Sequence, residues 1–151
     1  MYLTHSFMSN ETKYGSQQPL ILVVEDHDDS LLLISYALES LGCRFICQAD
    51  STTTVLVAKE YHPDLIMLDI LLPSLNGIEV VRRLKQEALT ADIPVLAVTA
   101  LASREDRERI IKAGFNDYIS KPYMIEDLED VIRRLLSSKL KPRSVFEMCQ
   151  E

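Results

Sequence analysis

The sequence of 151 residues lacks any apolar run long enough to cross a membrane. Its longest apolar stretches, Leu20–Val24 and Val95–Ala102, fall far short of the roughly 18 residues that a spanning helix needs. The N-terminus also lacks the basic and then apolar pattern of a secretory signal. These absences predict a cytoplasmic protein with no membrane partner.

Positive charge is scarce as well. Lys and Arg number 16 against 23 Asp and Glu, which leaves a net charge of -7. Affinity for a nucleic-acid backbone comes from positive charge, so the balance argues against nucleic acid as a direct partner. The 47% hydrophobic and 26% charged content is ordinary for a folded protein, and the length suits one domain.

Cysteine is rare, and its spacing fits neither a disulfide framework nor a metal cluster. The chain has three cysteines, Cys43, Cys47 and Cys149. If the first two share a strand, their Cα atoms lie roughly 13 Å apart, which is too far for a disulfide. We therefore expect reduced thiols that pack as small apolar side chains.

Three segments differ in composition. Residues 1–19 are polar, aperiodic and end in proline, which predicts a flexible leader. Residues 20–136 carry regular apolar patterns and form the predicted domain. Residues 137–151 form a predicted tail, whose basic residues we interpret as solubilising: Lys139, Lys141 and Arg143.

Short apolar runs alternate with helical patterns within the predicted domain. The predicted strands are Leu20–Val24, Arg44–Gln48, Asp64–Leu68, Pro94–Val98 and Asp117–Ser120. The predicted helices are a stripe of Leu31, Ile34, Leu38 and Leu41 that ends at Gly42, then Thr52–Tyr61, a helix opened by Asn76 and Gly77, one from Ser103 to Gly114, and Ile125–Leu136. Five successive βα units predict an α/β fold, a five-stranded parallel doubly wound sheet with helices on both faces and thus three layers.

One segment conflicts with its own propensity. Residues 51–57, STTTVLV, are rich in β-branched side chains and favour a strand. A parallel sheet needs a crossover between its second and third strands, so we predict a helix over Thr52–Tyr61 on topological grounds.

Polar side chains follow four of the predicted strands. Glu25 and Asp26 come after the first strand, Asp69 after the third, Thr99 after the fourth and Lys121 after the fifth. Ligands of open parallel sheets bind at the carboxyl ends of the strands, so these residues should converge. Clustered carboxylates repel one another unless a cation neutralises them, and Mg²⁺ prefers such oxygen ligands. The sequence therefore predicts a magnesium site in which Asp69 can act as a nucleophile toward phosphorus.

A nucleotide-binding domain of the same topology is excluded. It would need a glycine-rich turn after the first strand to bring a pyrophosphate close to the backbone. The chain has Glu-Asp-His-Asp-Asp at residues 25–29, which repels phosphate unless a metal intervenes.

Four stretches carry a family resemblance. They are ILVVEDHDD (21–29), PDLIMLDILLPSLNG (63–77), PVLAVTALA (94–102) and NDYISKPY (116–123). With these motifs the chain resembles response-regulator receiver domains of two-component signal transduction, over about residues 20–136. The resemblance implies a flavodoxin-like strand order, 2-1-3-4-5.

The resemblance also implies a role for each residue at the strand ends. Asp69 is the implied phosphoacceptor, and Lys121 pairs with the phosphoryl group next to a cis bond to Pro122. Thr99 hydrogen-bonds the phosphoryl group, and Tyr118 is the switch aromatic that turns inward when Thr99 moves.

The implied cofactor is Mg²⁺. Asp26 binds it directly, Glu25 binds it through water, and the backbone carbonyl of Leu71 joins Asp69 as a further ligand. His27 stands at a loop position where asparagine is frequent, and we expect an exposed residue rather than a ligand, because Mg²⁺ disfavours imidazole.

Two leucines lead to a hypothesis about the lifetime of the phosphorylated form. Leu71 and Leu101, each two residues beyond Asp69 and Thr99, should flank the path by which water attacks the phosphoryl group. Apolar side chains there exclude water, which predicts slow hydrolysis. Ordinary loop cover is the alternative reading of both residues.

The expected function is that of a stand-alone receiver, since the tail is too short to fold an output domain. A histidine kinase or phosphotransfer protein would phosphorylate Asp69, and the face of residues 103–136 would signal to a protein effector, as a monomer or a phosphorylation-dependent homodimer. Two alternatives stay open: a phosphorelay intermediate, and a Mg²⁺-dependent aspartyl phosphatase. The phosphatase is disfavoured because Leu71 replaces the acid such enzymes carry. Beyond assisting its own phosphorylation and slow autodephosphorylation, the chain is not expected to be an enzyme.

Overall fold

The computed structural model describes residues 18–70, 76–100 and 103–137. Five parallel strands form one sheet in the order β2-β1-β3-β4-β5. The strands are β1 (Leu20–Val24), β2 (Arg44–Gln48), β3 (Leu65–Asp69), β4 (Val95–Thr99) and β5 (Asp117–Ser120). The helices are α1 (Asp28–Ser40), α2 (Thr54–Tyr61), α3 (Gly77–Gln86), α4 (Arg104–Ala113) and α5 (Ile125–Leu135). The predicted α/β fold and strand order are confirmed.

Alternating side chains of the apolar strands enter two separate cores, which makes three layers. Leu22 faces a core that includes α2, α3 and α4, whereas Ile21 and Val23 face a core with α1 and α5. Because both faces of β1 are covered, all five of its residues are buried. The helices thus divide between the two faces as a doubly wound sheet requires.

The β-branched segment after β2 is helical, as predicted. Ser51–Thr53 form a 3-10 turn and α2 follows directly. Asp50 caps this turn, because its side chain accepts a hydrogen bond of 2.8 Å from the backbone N–H of Thr52. The need for a crossover therefore outweighs local strand propensity.

Two strands run one residue further than predicted, and both shifts matter for the site. β3 is Leu65–Asp69 rather than Asp64–Leu68, and β4 is Val95–Thr99 rather than Pro94–Val98. The ladder continues because Asp69 pairs with Val98 and Thr99 pairs with Ser120. Asp69 and Thr99 are therefore held by the sheet itself rather than by the loops that follow.

Helix ends follow the predicted signals. Ser103 and Asp106 form a reciprocal capping box at the start of α4, which ends at Gly114. Asn76 caps α3 by accepting a hydrogen bond from the N–H of Ile78. Gly77 lies so close to the end of β3 that an added Cβ would come within 2.8 Å of the Ile70 Cα. Glycine is thus required where α3 begins beside Asp69.

Cys43 and Cys47 are buried and form no disulfide within the described residues, as predicted. Burial, assisted by the charge of Asp64, raises the pKa of Cys43 to about 12, which keeps this thiol protonated. Cys149 and nearly all of the predicted leader and tail lie outside the described residues. Within the described ranges, every helix is too short or too polar to span a bilayer.

Candidate functional site

Two buried acids stand at the carboxyl edge of the sheet. Asp69 is the last residue of β3 and Glu25 directly follows β1, and these strands are neighbours. Their side chains are only 7% and 1% exposed, respectively. Asp26 follows Glu25 and is more open, with a side chain 30% exposed. The predicted acids therefore converge at this edge, and Glu25 and Asp69 are the more deeply buried of the three.

Lys121 pairs with both buried acids. It directly follows β5, and its Nζ lies 3.1 Å from Asp69 Oδ2 and 3.2 Å from Glu25 Oε1. Burial favours the neutral amine, but the hydrogen bonds to the two carboxylates and their charges outweigh this and raise the pKa of Lys121. The lysine is thus held charged beside Asp69.

A cleft of about 640 Å³ opens over these groups, with Asp69, Lys121, His27 and Asp28 in its lining. Four residues offer donor atoms within 4.8 Å of one another: Glu25, Asp26, His27 and Asp69. Three carboxylates against one lysine leave this group with excess negative charge. A hard divalent cation that prefers oxygen, as Mg²⁺ does, fits the three carboxylates of this group.

His27 is exposed, as expected, but its ring contacts the acids. The side chain is 72% exposed, and Nδ1 lies 3.1 Å from Asp26 Oδ1 and 3.4 Å from Glu25 Oε2. The sequence prediction missed these contacts. The only signal was the position of His27 two residues after Glu25, just before α1.

Thr99 and Tyr118 lie on β4 and β5, the two strands beyond β3. Thr99 is fully buried at the end of β4, and its carbonyl accepts a 2.8 Å hydrogen bond from the N–H of Lys121, so β4 helps to position the lysine. Tyr118 is half-buried and packs against the core of the α2, α3 and α4 face. The Arg107 guanidinium carbon lies 5.6 Å from the centre of its ring, a cation–π distance that the sequence did not predict.

The segment after Lys121 closes one side of the site. The predicted cis bond between Lys121 and Pro122 is present. Burial raises the pKa of Tyr123 to about 12, and the charges of Glu25 and Asp69 add to this effect. The phenol is therefore a neutral neighbour of the acids.

Leu71 and Leu101 lie outside the described residues. The proposed carbonyl ligand of Leu71 and the water exclusion by both side chains therefore stay predictions.

Comparison with known families identifies the domain. A family model described as the response regulator receiver domain matches residues 21–133. Among curated proteins, the polar-differentiation response regulator DivK of Brucella ovis is 37% identical over 116 residues, covering 77% of this chain and 94% of DivK. The phosphate regulon transcriptional regulatory protein PhoB of Escherichia coli is 36% identical over 130 residues, covering 86% of this chain. The chain spans only 56% of the length of PhoB.

Solved structures agree with this match. The receiver domain of a sensor histidine kinase from Pseudomonas aeruginosa, solved with a magnesium ion coordinated in its active site cleft, superposes with a TM-score of 0.73 at 33% identity, covering 80% of this chain and 98% of that one. The receiver domain of a signal transduction histidine kinase from Syntrophus aciditrophicus superposes with the same TM-score, 0.73, at 30% identity, covering 84% and 96%. The chain belongs to the response regulator receiver domain family.

Proposed function

We propose that this chain accepts a phosphoryl group on Asp69 and transmits the signal to a protein partner. The observation that carries the proposal is the buried carboxylate of Asp69, 3.1 Å from Lys121, at the floor of an acidic cleft. Receiver domains are signalling modules, and the geometry suits a nucleophile that is modified rather than an acid that turns over substrate.

In this proposal Mg²⁺ is held by Asp26, Asp69 and the carbonyl of Leu71, with Glu25 acting through water. When bound, the ion neutralises the charge of the carboxylates and of the incoming phosphoryl oxygens. Support comes from the oxygen-rich donor set of the cleft and from the magnesium ion in the related receiver of the histidine kinase from Pseudomonas aeruginosa.

Three side chains of the protein carry out the proposed phosphoryl transfer: Asp69, Lys121 and Thr99. A carboxylate oxygen of Asp69 forms a bond to phosphorus while the bond between phosphorus and the donor nitrogen breaks, and the released imidazole takes up a proton. Lys121 moves from its contact with Asp69 Oδ2 to a phosphoryl oxygen, and the Thr99 hydroxyl donates a hydrogen bond to another. Both donors stabilise charge that spreads over the phosphoryl oxygens during transfer.

The proposed output is the face of α4, β5 and α5, about residues 103–136. When Thr99 moves toward the phosphoryl group, Tyr118 turns inward and leaves Arg107, which alters the surface that a partner contacts. An ion pair of 2.7 Å between Arg134 and Asp117 joins α5 to β5 within this face.

The proposed phosphodonor is a histidine kinase or a phosphotransfer protein, and the proposed compartment is the cytoplasm. The proposed downstream partner is a protein effector or, in a phosphorylation-dependent homodimer, a second copy of the chain. A division of these residues into a leader (1–19), a receiver (20–136) and a tail (137–151) belongs to the same proposal.

Intact-mass measurement tests the phosphoacceptor. Incubation with Mg²⁺ and a small phosphodonor should add one phosphoryl group to the wild-type chain and none to Asp69→Asn. Asp130→Asn is the matched control, since this aspartate lies on the exposed side of α5 with a side chain 69% exposed, and it should be phosphorylated normally. An adduct on Asp69→Asn, or none on the wild type, would overturn the proposal.

A further inference from the structure

His27 holds its ring against the acids rather than capping the helix behind it. It occupies the N-cap position of α1 but makes no side-chain capping hydrogen bond. Its backbone N–H instead donates to Glu25 Oε2 at 3.3 Å. This local hydrogen bond turns the residue toward the cleft, where Nδ1 meets oxygens of both Asp26 and Glu25.

The spacing of these atoms matches the spacing of ligands around one cation. Octahedral ligands at about 2.1 Å from an ion lie about 3.0 Å apart when adjacent and about 4.2 Å apart when opposite. Nδ1 lies 3.1 Å from Asp26 Oδ1 and 3.4 Å from Glu25 Oε2, and the donor atoms of the whole group, with Asp69, fall within 4.8 Å. A small contraction therefore brings the nitrogen and the carboxylates onto one ion.

The nitrogen changes which ion such a group prefers. Mg²⁺ disfavours imidazole, whereas Mn²⁺, Co²⁺ and Zn²⁺ accept nitrogen and carboxylate ligands together. A neutral ring gives its Nδ1 lone pair to the ion, and Nε2 stays in solvent because the side chain is 72% exposed. The protein thus offers a mixed donor set where only oxygen was expected.

We propose that His27 is a ligand for first-row transition dications in this cleft and shifts the selectivity of the site from Mg²⁺ toward such ions. The proposal rests on the proposed function only in that the cleft holds a divalent ion. It makes His27 a determinant of metal choice, while phosphorylation with Mg²⁺ proceeds without this nitrogen.

Calorimetric titration of the full chain with Mg²⁺ and with Co²⁺, without phosphodonor, tests the proposal. Carboxylates alone already favour Co²⁺ over Mg²⁺, so the informative quantity is the change in the ratio of the two dissociation constants on substitution. Loss of a group that only hydrogen-bonds to a metal ligand weakens metal affinity about 10–100-fold. Loss of a ligand atom should cost at least as much, so His27→Asn should weaken Co²⁺ binding at least about tenfold and Mg²⁺ binding less than about twofold.

His62→Asn is the matched control. His62 ends α2 next to the start of β3, at the opposite edge of the sheet, and its φ of 49° is a conformation that asparagine tolerates. It should leave both affinities unchanged. Asp26→Asn should weaken the binding of both ions, because it removes a carboxylate that either ion uses in the cleft.

A spectroscopic readout identifies the ligating atom. Zn²⁺ should shift the Nδ1 resonance of His27 in ¹⁵N NMR of the imidazoles and leave His62 in place. An unchanged Co²⁺ to Mg²⁺ ratio in His27→Asn, or an unmoved His27 resonance, overturns the role of His27 while the cation site stands. Failure of the wild type to bind either ion overturns the cation site, and with it the proposed function.

Discussion

Two partly buried lysines meet opposite kinds of partner. Lys85 projects from α3, and its Nζ donates to the carbonyls of Ala91 and Ile93, at 3.2 and 2.8 Å, and to Asn116 Oδ1 at 3.2 Å. Lys121 donates to two carboxylates. Both ammonium groups are satisfied by hydrogen bonds, but only one is neutralised.

The pKa values show what this difference means. Burial lowers the pKa of Lys85, and the charge of Asp92 offsets this only in part. For Lys121, burial is outweighed by Asp69 and Glu25, and the pKa rises. Neutral acceptors fix the position of a lysine, which then stabilises the structure. Carboxylates instead keep a lysine protonated, so that it can bind an anion. Burial of a lysine therefore does not by itself indicate function; its partners do.

The largest expected effect separates the two lysines in chemistry. Lys121→Met should slow phosphorylation of Asp69 by a small phosphodonor about 10²–10³-fold, because it removes a donor to the phosphoryl oxygens. Lys85→Met should leave this rate unchanged, since the hydrogen-bond partners of its ammonium group are Ala91, Ile93 and Asn116 rather than acids of the cleft. Time-resolved intact-mass measurement gives both rates. A Lys121→Met rate within a few-fold of wild type would remove the proposed role of this lysine.

The next effect separates them in stability. Lys85→Met keeps the aliphatic stem but leaves the carbonyls of Ala91 and Ile93 without this donor, whereas Asn116 Oδ1 still accepts a hydrogen bond from the N–H of Val95. The substitution should lower the free energy of unfolding by about 1–3 kcal/mol. Lys112→Met, on the exposed side of α4, should change it by no more than about 0.5 kcal/mol. Urea unfolding followed by circular dichroism measures both. Equal losses in the two variants would mean that the Lys85 contacts contribute nothing specific.

Sequence patterns found Lys121 but could not find Lys85. Lys121 ends a strand of a parallel sheet, where ligands bind, and its motif fits the family. The partners of Lys85 are two backbone carbonyls, which every residue possesses, and an amide 31 positions away. No pattern of residue types marks such contacts, because they depend on the path of the loop between α3 and β4.

The same limit separates the fold from the details of the site. Apolar runs predicted all five strands. The helix over Thr52–Tyr61 was predicted as well, although residues 51–57 favour a strand, because a parallel sheet needs a crossover between its second and third strands. The contacts of His27 with two carboxylates and of Arg107 with Tyr118 depend on side-chain torsions. Strand ends were misjudged by one residue, since the ladder extends through Asp69 and Thr99 although both are polar.

The smallest expected effect is a difference in pH dependence. The reference pKa of a lysine is 10.5. Because folding lowers the pKa of Lys85, the unfolded chain binds more protons just below pH 10.5. The contribution of Lys85 to stability therefore rises as pH increases through this window. For Lys121 the pKa is raised, so its contribution is complete below pH 10.5 and is lost as pH rises beyond it.

Urea unfolding of metal-free protein between about pH 9 and pH 11 tests these opposite signs. The destabilisation caused by Lys85→Met should grow with pH, and that caused by Lys121→Met should shrink above the reference value. Tyrosine and cysteine titrations away from the two lysines are common to all three proteins and cancel in the differences. If both differences changed with pH in the same direction, the partners assigned to one of the lysines would be incorrect. The contrast between a structural lysine and a lysine kept protonated by carboxylates would then fail.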